Sequence, residues 1–180
     1  MRLTYAVAAI ALLGACGETA GPAPEAAAQT PAADAETEMK DTGDALKATD
    51  NTDIVRRVYA GFADGDMAAV VADFADNVVW NEAENSPYAD RNPYEGSDEI
   101  VSGLFARLGG EWEYFNATPS DYIAEGDKVV AIGRYTAEHG ESGKSMDIPF
   151  VHVWTVENGD ILAFQQYTDT LTHTEVMQTD

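Results

Sequence analysis

The stretch IVRRVYAGFADGDMAAVVADFADNVVW, residues 54–80, contains two amphipathic helical patterns followed by the start of a strand. In its first part, apolar residues recur three and four positions apart, as on one face of an α-helix, at Ile54, Val55, Val58, Tyr59 and Phe62. Gly65 and Asp66 then suit the end of one helix and the N-cap of the next, which is predicted from Met67 to Phe74. The closing Val-Val-Trp predicts a strand, so this stretch indicates a domain that combines helices with a sheet.

The residues after this stretch predict one more helix and then a series of strands. The helix begins at Ser97 and is stopped by Gly109-Gly110. Asn158-Gly159 predicts a hairpin turn between the last two of the strands that follow, at residues 112–116, 121–125, 128–136, 146–156 and 161–168. Three helices in the N-terminal half and long strands afterwards favour an α+β fold, in which the helices cover one face of a curved antiparallel sheet.

The N-terminus has the pattern of an export signal. Residues 1–15 hold one positive charge, Arg2, followed by an apolar run that is too short to span a bilayer. The ending Leu13-Gly14-Ala15-Cys16 resembles the lipobox of bacterial lipoproteins, which implies cleavage before Cys16 and lipidation of that residue. The resemblance also implies a periplasmic protein, and Gly17 after the cysteine favours the outer membrane. An ordinary secretory signal with an incidental cysteine is the alternative.

Residues 16–52 predict a disordered tether, and residues 53–180 predict the folded domain. The tether is rich in Ala, Pro and acidic residues, lacks aromatic residues and cannot bury enough apolar surface to order itself. Asn51 or Thr52 can then cap the first helix. The chain holds 32 acidic and 10 basic residues, a net charge of −22, which repels nucleic acids and anionic lipids. Contact with a membrane is therefore expected through the lipid anchor only.

Three segments together resemble the SnoaL-like branch of the nuclear transport factor two-like superfamily. They are residues 54–80, YEGSDEIVSGLFARL at 94–108 and IPFVHVWTVENGDILAFQQYTD at 148–169. The resemblance implies a cone-shaped fold, in which three helices wrap a curved, mixed but mainly antiparallel sheet that encloses a cavity. It also implies a homodimer through the outer face of the sheet. The family contains polyketide cyclases, ketosteroid isomerases and inactive members, so the resemblance implies a cavity but no single reaction.

Glu82 is the first candidate for a catalytic residue. By strand alternation it shares a face with Val78 and Trp80, where burial would raise its pKa toward that of a general base working near neutrality. The resemblance also aligns it with the catalytic acidic residue of ketosteroid isomerases. A glutamate facing solvent at the strand end is the alternative. The other groups of that isomerase align with Val58 and Val151, so steroid isomerase activity is not expected.

His152 is the second catalytic candidate. The alignment directs Val151 into the cavity and His152 away from it, although a shift of one residue would reverse both orientations. A hydrogen-bonded core histidine is the alternative, while His139 and His173 are expected to be solvated. The side chains expected to border the cavity, where they would bind a ligand or fill the core, are Tyr59, Trp80, Tyr88, Tyr94, Phe105, Trp112, Val151, Phe164 and Gln166.

Three interpretations of the function remain open. The first is a lipid-anchored envelope protein that binds a small, largely apolar molecule in its cavity. The second is an acid–base enzyme of the isomerase, cyclase, dehydratase or hydrolase type that uses Glu82 as general base. The third is a non-catalytic dimeric interaction module. No cofactor or metal site is expected, because the sequence lacks phosphate-binding loops, nucleophile elbows and the common metal-binding patterns.

Overall fold

The computed structural model describes residues 50–179 of the chain. The predicted export signal, Cys16 and most of the predicted tether lie outside the described residues. Helix α1 covers residues 50–64. Asn51 and Thr52, predicted as the end of the tether and as N-caps, are instead buried within this helix. Asn51 Nδ2 donates to the carbonyl oxygens of Gly126 (3.1 Å) and Val156 (3.2 Å), and thereby joins the helix to the sheet.

The second helix is shorter than the sequence pattern predicts. Helix α2 spans Met67–Val71, and its N-cap is Asp66, whose carboxylate accepts from the amide of Ala69 at 3.1 Å. Strand β1 spans Phe74–Asn81, so the prediction that the helix reaches Phe74 is wrong. Phe74 pairs with Ile161 of a neighbouring strand, and this sheet contact overrides the local helical pattern.

The third helix runs past its predicted end. A 3₁₀ turn at Ala89–Arg91 and the short strand β2, Tyr94–Glu95, precede this helix. Helix α3 begins at Ser97 and ends at Glu111. It comprises α-helical Ser97–Ile100, π-helical Val101–Phe105 and α-helical Ala106–Glu111, so Gly109 and Gly110 do not stop it. A Cβ atom at either glycine would have nothing within 4 Å, so neither is required by close packing.

Four long strands complete the sheet, and the predicted α+β fold with a mixed, mainly antiparallel sheet is confirmed. They are β3 (Trp112–Glu125), β4 (Lys128–His139), β5 (Ser145–Glu157) and β6 (Asp160–Thr168). The strand order is β2-β1-β6-β5-β4-β3, in which only the β1–β6 pair is parallel. The strands predicted at residues 112–116 and 121–125 form one strand with an irregularity between Pro119 and Asp121. The predicted hairpin is present, with positive φ at Asn158 (54°) and Gly159 (97°).

A fourth helix follows β6, beyond the last element that the sequence pattern predicts. Helix α4 spans Thr170–Val176 and is capped by Asp169, which accepts from the amide of Thr172 at 3.1 Å. It buries His173, which is 1% exposed, so the prediction of a solvated His173 is wrong. His139 is also buried, and its Nδ1 lies 3.2 Å from the Ser142 hydroxyl. No helix within residues 50–179 has the length and apolar character needed to cross a membrane.

Candidate functional site

A mostly aromatic cavity lies between the helices and the buried face of the sheet. The space open to water-sized molecules measures about 50 Å³, enough for a few waters. A larger ligand therefore requires side chains to move. Among the residues expected from the sequence, the cavity wall includes Tyr59, Trp80, Glu82, Tyr88, Phe105, His152, Phe164 and Gln166.

Val151 does not belong to this wall, and the expected strand register is wrong by one residue. On β5 the side chains of Phe150, His152 and Trp154 are buried, whereas Val151 lies on the opposite face of the sheet. Because side chains alternate along a strand, the same shift turns His152 into the cavity. The sequence already shows three large rings at alternate positions of this strand, a pattern that favours burial of all three on one face. The alignment to the isomerase segment favoured the opposite face.

Tyr94 and Trp112 also lie outside the cavity wall, where they hold Tyr88 in place. The Tyr94 hydroxyl donates to the Tyr88 carbonyl oxygen at 2.7 Å, and Trp112 Nε1 donates to the Tyr88 hydroxyl at 2.7 Å. Tyr88 in turn donates to Glu111 Oε2 at 2.7 Å. The two residues predicted to bind ligand thus support a residue that lines the cavity.

Glu82 lies at the end of β1 with its carboxyl group in the cavity wall. It is 4% exposed, which excludes the alternative of a solvent-facing side chain. Oε1 accepts from Trp80 Nε1 at 2.8 Å, and the Asn92 side chain pairs with the backbone N–H and C=O of Glu82 at 3.0 and 2.8 Å. Burial raises the pKa of Glu82 to about 7, against the opposing effect of hydrogen bonds from Trp80, Gln166 and Ser86. Near neutrality the carboxyl group can therefore give or take a proton.

A chain of hydrogen bonds continues from Gln166 through Tyr135 and His152 to Tyr59. Gln166 Oε1 accepts from the amide of Ala83 at 3.2 Å, which leaves Nε2 to donate to the Tyr135 hydroxyl at 2.9 Å. That hydroxyl lies 2.6 Å from His152 Nε2, and the Tyr59 hydroxyl lies 2.7 Å from His152 Nδ1. Tyr135 was missed in the sequence, although its place on the buried face of β4 follows from the alternation of Val129, Ala131 and Ala137.

One tyrosine hydroxyl proton in this network has no hydrogen-bond acceptor within residues 50–179. Burial lowers the pKa of His152 to about 3, so the neutral ring has one N–H and one lone pair. The ring can accept a hydrogen bond from one tyrosine only and must donate a hydrogen bond to the other. Both hydroxyl oxygens already accept one bond, Tyr59 from Trp154 Nε1 (3.2 Å) and Tyr135 from Gln166 Nε2 (2.9 Å). Among the described residues, the proton of the tyrosine that accepts from His152 has no partner and is available to an acceptor in the cavity.

One side of the cavity wall also borders the protein surface, between α1, α2, α3 and β3. A surface depression of about 220 Å³ shares Phe62, Phe105, Leu108 and Phe115 with the cavity wall. These four apolar side chains separate the depression from the cavity, so their movement would open it. Residues 50–179 hold no group of three or more His, Cys, Asp or Glu side chains that could bind a metal ion.

The chain is similar to several proteins of known structure. Residues 55–164 match the SnoaL-like domain family. An NTF2-like protein from Burkholderia thailandensis is 38% identical, over 71% of this chain and 97% of that one, with a TM-score of 0.68. Bal32a, from a soil-derived mobile gene cassette, is 30% identical over 73% of this chain and 98% of that one, with a TM-score of 0.65.

A more distant similarity shows the fold alone. A protein from Jannaschia sp. CCS1, whose name classes it with SnoaL-like polyketide cyclases, is 19% identical over 72% of this chain and 92% of that one, with a TM-score of 0.63. No functionally curated protein matches this chain.

Proposed function

The chain belongs to the SnoaL-like domain family, and we propose that its cavity binds a small, largely apolar molecule that carries a hydrogen-bond-accepting oxygen. The observation that carries the proposal is the Tyr59–His152–Tyr135 network, in which one hydroxyl proton has no partner within residues 50–179, in an otherwise mostly apolar wall. A carbonyl or ether oxygen would accept that proton while the rings around it cover the rest of the ligand. The membership in a family of cavity-bearing domains supports the same conclusion.

The test compares two small molecules of the same shape. Cyclohexanone has an acceptor oxygen, whereas methylenecyclohexane has a CH₂ group in its place. Since Trp80 and Trp154 line the cavity, binding is measured by titration of tryptophan fluorescence. We expect cyclohexanone to bind about fivefold more tightly, the effect of one net neutral hydrogen bond.

A variant that fills the cavity provides the control. Ala117 lines the cavity, so Ala117→Leu should abolish binding, whereas Ala163→Leu changes a half-buried alanine outside the wall and should not. Equal affinity for the two molecules would contradict the acceptor-oxygen requirement. Binding by Ala117→Leu that matches the wild type would place the ligand elsewhere.

Acid–base catalysis by Glu82 is the second candidate function, favoured by its pKa of about 7 at the cavity wall. A base at this position could remove a proton next to the carbonyl group of a bound ketone, and the tyrosine proton would stabilise the resulting enolate oxygen. Deuterium exchange at the α-carbons of cyclohexanone, followed by NMR, measures this step. Exchange should increase as the pH rises through about 7 and should be lost in Glu82→Gln. It should persist in Glu84→Gln, which changes the exposed neighbour; equal exchange in Glu82→Gln would remove the proposed base.

We also propose that Cys16 is lipidated and holds the domain at a bacterial membrane, by its resemblance to a lipobox residue. Such an anchor would place the cavity in the cell envelope. In membrane fractionation of the full chain, Cys16→Ser should move the protein to the soluble fraction. Unchanged membrane association would contradict the anchor.

We further propose a homodimer through the outer face of the sheet, because an apolar patch lies on that face. The dimer does not depend on whether the domain is catalytic. Neighbouring strands place Ile132, Val151 and Tyr167 side by side, with Ile132 36% and Tyr167 57% exposed. Val151→Glu should convert a dimer into a monomer in analytical ultracentrifugation. Leu171→Glu, which alters an exposed apolar residue on α4, should leave the dimer intact. A monomeric wild-type protein would exclude this arrangement.

A further inference from the structure

His173 is a buried polar side chain in the cavity wall whose ring nitrogens have no hydrogen-bond partner within residues 50–179. It is 1% exposed. The rings of Tyr88, Trp112 and Phe115 surround it, with centroids 5.7, 5.4 and 6.0 Å away, and such rings offer only weak N–H···π contacts. Buried polar atoms in folded proteins are almost always hydrogen-bonded, so this histidine differs from the expected pattern.

The other two histidines of the chain are paired within the protein. His152 contacts Tyr59 and Tyr135 through its two ring nitrogens, and His139 Nδ1 contacts Ser142. Within residues 50–179, only the histidine on α4 combines a place in the cavity wall with an unused donor and an unused acceptor. Phe115 lies between the two polar regions of the wall, with its ring centroid 5.0 Å from that of Tyr135 and 6.0 Å from that of His173. The cavity therefore has polar groups on two sides of an aromatic ring.

We propose that His173 is a second polar anchor, which binds a hydroxyl group of the ligand whose acceptor oxygen pairs with the tyrosine network. A hydroxyl group both donates and accepts, so it can bond to either ring nitrogen of a neutral imidazole, by donating to the lone pair or by accepting from the N–H. The ligand class is accordingly an uncharged hydroxyketone or a similar molecule with two oxygen functions. This inference rests on the proposed function and adds the second functional group of the ligand.

The charge state of His173 favours an uncharged ligand. Burial, together with the nearby His139, lowers the pKa of His173 to about 4, so its ring is neutral near pH 7. A carboxylate ligand would need a cationic partner to offset its desolvation, and the neutral ring does not provide one. An alcohol is desolvated more easily and gains hydrogen bonds from the ring.

The experiment compares cyclohexanone with 4-hydroxycyclohexanone in the wild-type protein and in His173→Leu, again by tryptophan fluorescence. The hydroxyketone should bind the wild type about fivefold more tightly than the ketone. In His173→Leu its hydroxyl group would be buried without a partner, so the variant should bind the hydroxyketone more weakly than cyclohexanone. His139→Leu, which removes a buried histidine outside the cavity wall, should keep the wild-type preference.

The outcomes separate this inference from the proposed function. Cyclohexanone binding with no preference for the hydroxyketone, or the same preference in His173→Leu, would overturn the inference alone. Failure of both ketones to bind the wild type would overturn the proposed function and the inference together. If His173→Leu does not fold, ¹⁵N NMR of the wild-type imidazole decides. The hydroxyketone must then shift the His173 nitrogen resonances and cyclohexanone must leave them unchanged.

Discussion

At Glu82, burial and hydrogen bonding act on the carboxyl group in opposite directions. Burial disfavours the charged form and raises the pKa to about 7, although donors on Trp80, Gln166 and Ser86 favour the carboxylate. The folded state therefore holds the proton more tightly than the unfolded chain, in which the pKa is close to 4.5. The stability that this group contributes at low pH is lost as the pH rises from 4.5 through 7.

We predict that Glu82→Gln stabilises the protein at high pH relative to wild type. Glutamine cannot ionise, so the difference in unfolding free energy between variant and wild type should grow by about 3 kcal/mol from pH 4.5 to pH 8. Urea unfolding at a series of pH values in this range measures it. The exposed Glu84→Gln serves as the control, and its difference from wild type should be independent of pH. A constant difference for Glu82→Gln would contradict the raised pKa.

Among the elements, β4 depends on a glycine where it passes the irregular part of β3. A Cβ atom at Gly133 would lie 2.4 Å from the Thr118 carbonyl oxygen, 2.5 Å from Phe150 Cζ and 2.7 Å from Pro119 Cα. Two of these atoms belong to the backbone of β3 and cannot move away without breaking the pairing of the two strands. Gly133 thus allows β3, β4 and the Phe150 ring of the cavity side to pack closely.

We predict that Gly133→Ala destabilises the protein by about 3 kcal/mol, at the upper end of the usual cost of overpacking. Gly109→Ala on α3 is the matched control, because a Cβ atom there has nothing within 4 Å. It should stabilise the protein by about 0.5–1 kcal/mol through helix propensity. Thermal and urea unfolding measure both variants. Similar effects of the two substitutions would contradict the close approach of β4 to β3.

For the molecule as a whole, two buried neutral histidines make stability depend on pH on the acid side. Burial lowers the pKa of His152 to about 3 and that of His173 to about 4, both below the value of 6.5 expected when unfolded. The unfolded chain therefore binds protons that the folded chain excludes. The stability from these groups is fully present above pH 6.5 and is lost as the pH falls below it.

We predict that each of these histidines lowers the free energy of unfolding by about 1.2 kcal/mol for each unit by which the pH falls between pH 6 and pH 4.5. His173→Leu should remove the part of this pH dependence that His173 causes. In acid the variant should therefore unfold less readily than the wild type. It should be no less stable at pH 7, because leucine removes two unpaired buried nitrogen atoms. His139→Leu is the comparison. If the free energy of unfolding, measured with urea, falls equally steeply with decreasing pH in His173→Leu and wild type, the lowered pKa of His173 is contradicted.

Local periodicity was enough to predict the helices around Val58 and Ile100, the Asn158-Gly159 hairpin, the α+β class and the shared face of Trp80 and Glu82. Such patterns concern residues a few positions apart, where backbone geometry sets which side chains share a face. The alternation of side chains along β4 could have placed Tyr135 in the core, but it could not predict which residues Tyr135 contacts.

How these faces meet depends on tertiary contacts. These contacts set the register of β5 that turns His152 rather than Val151 inward, join Tyr59 to Tyr135 through that histidine, and place α4 so that it buries His173. The reason is that a pKa, a hydrogen-bond partner or an unpaired nitrogen depends on groups that are distant in the chain. Tyr59 and His152 are 93 residues apart, and their contact exists only once the helix packs on the sheet.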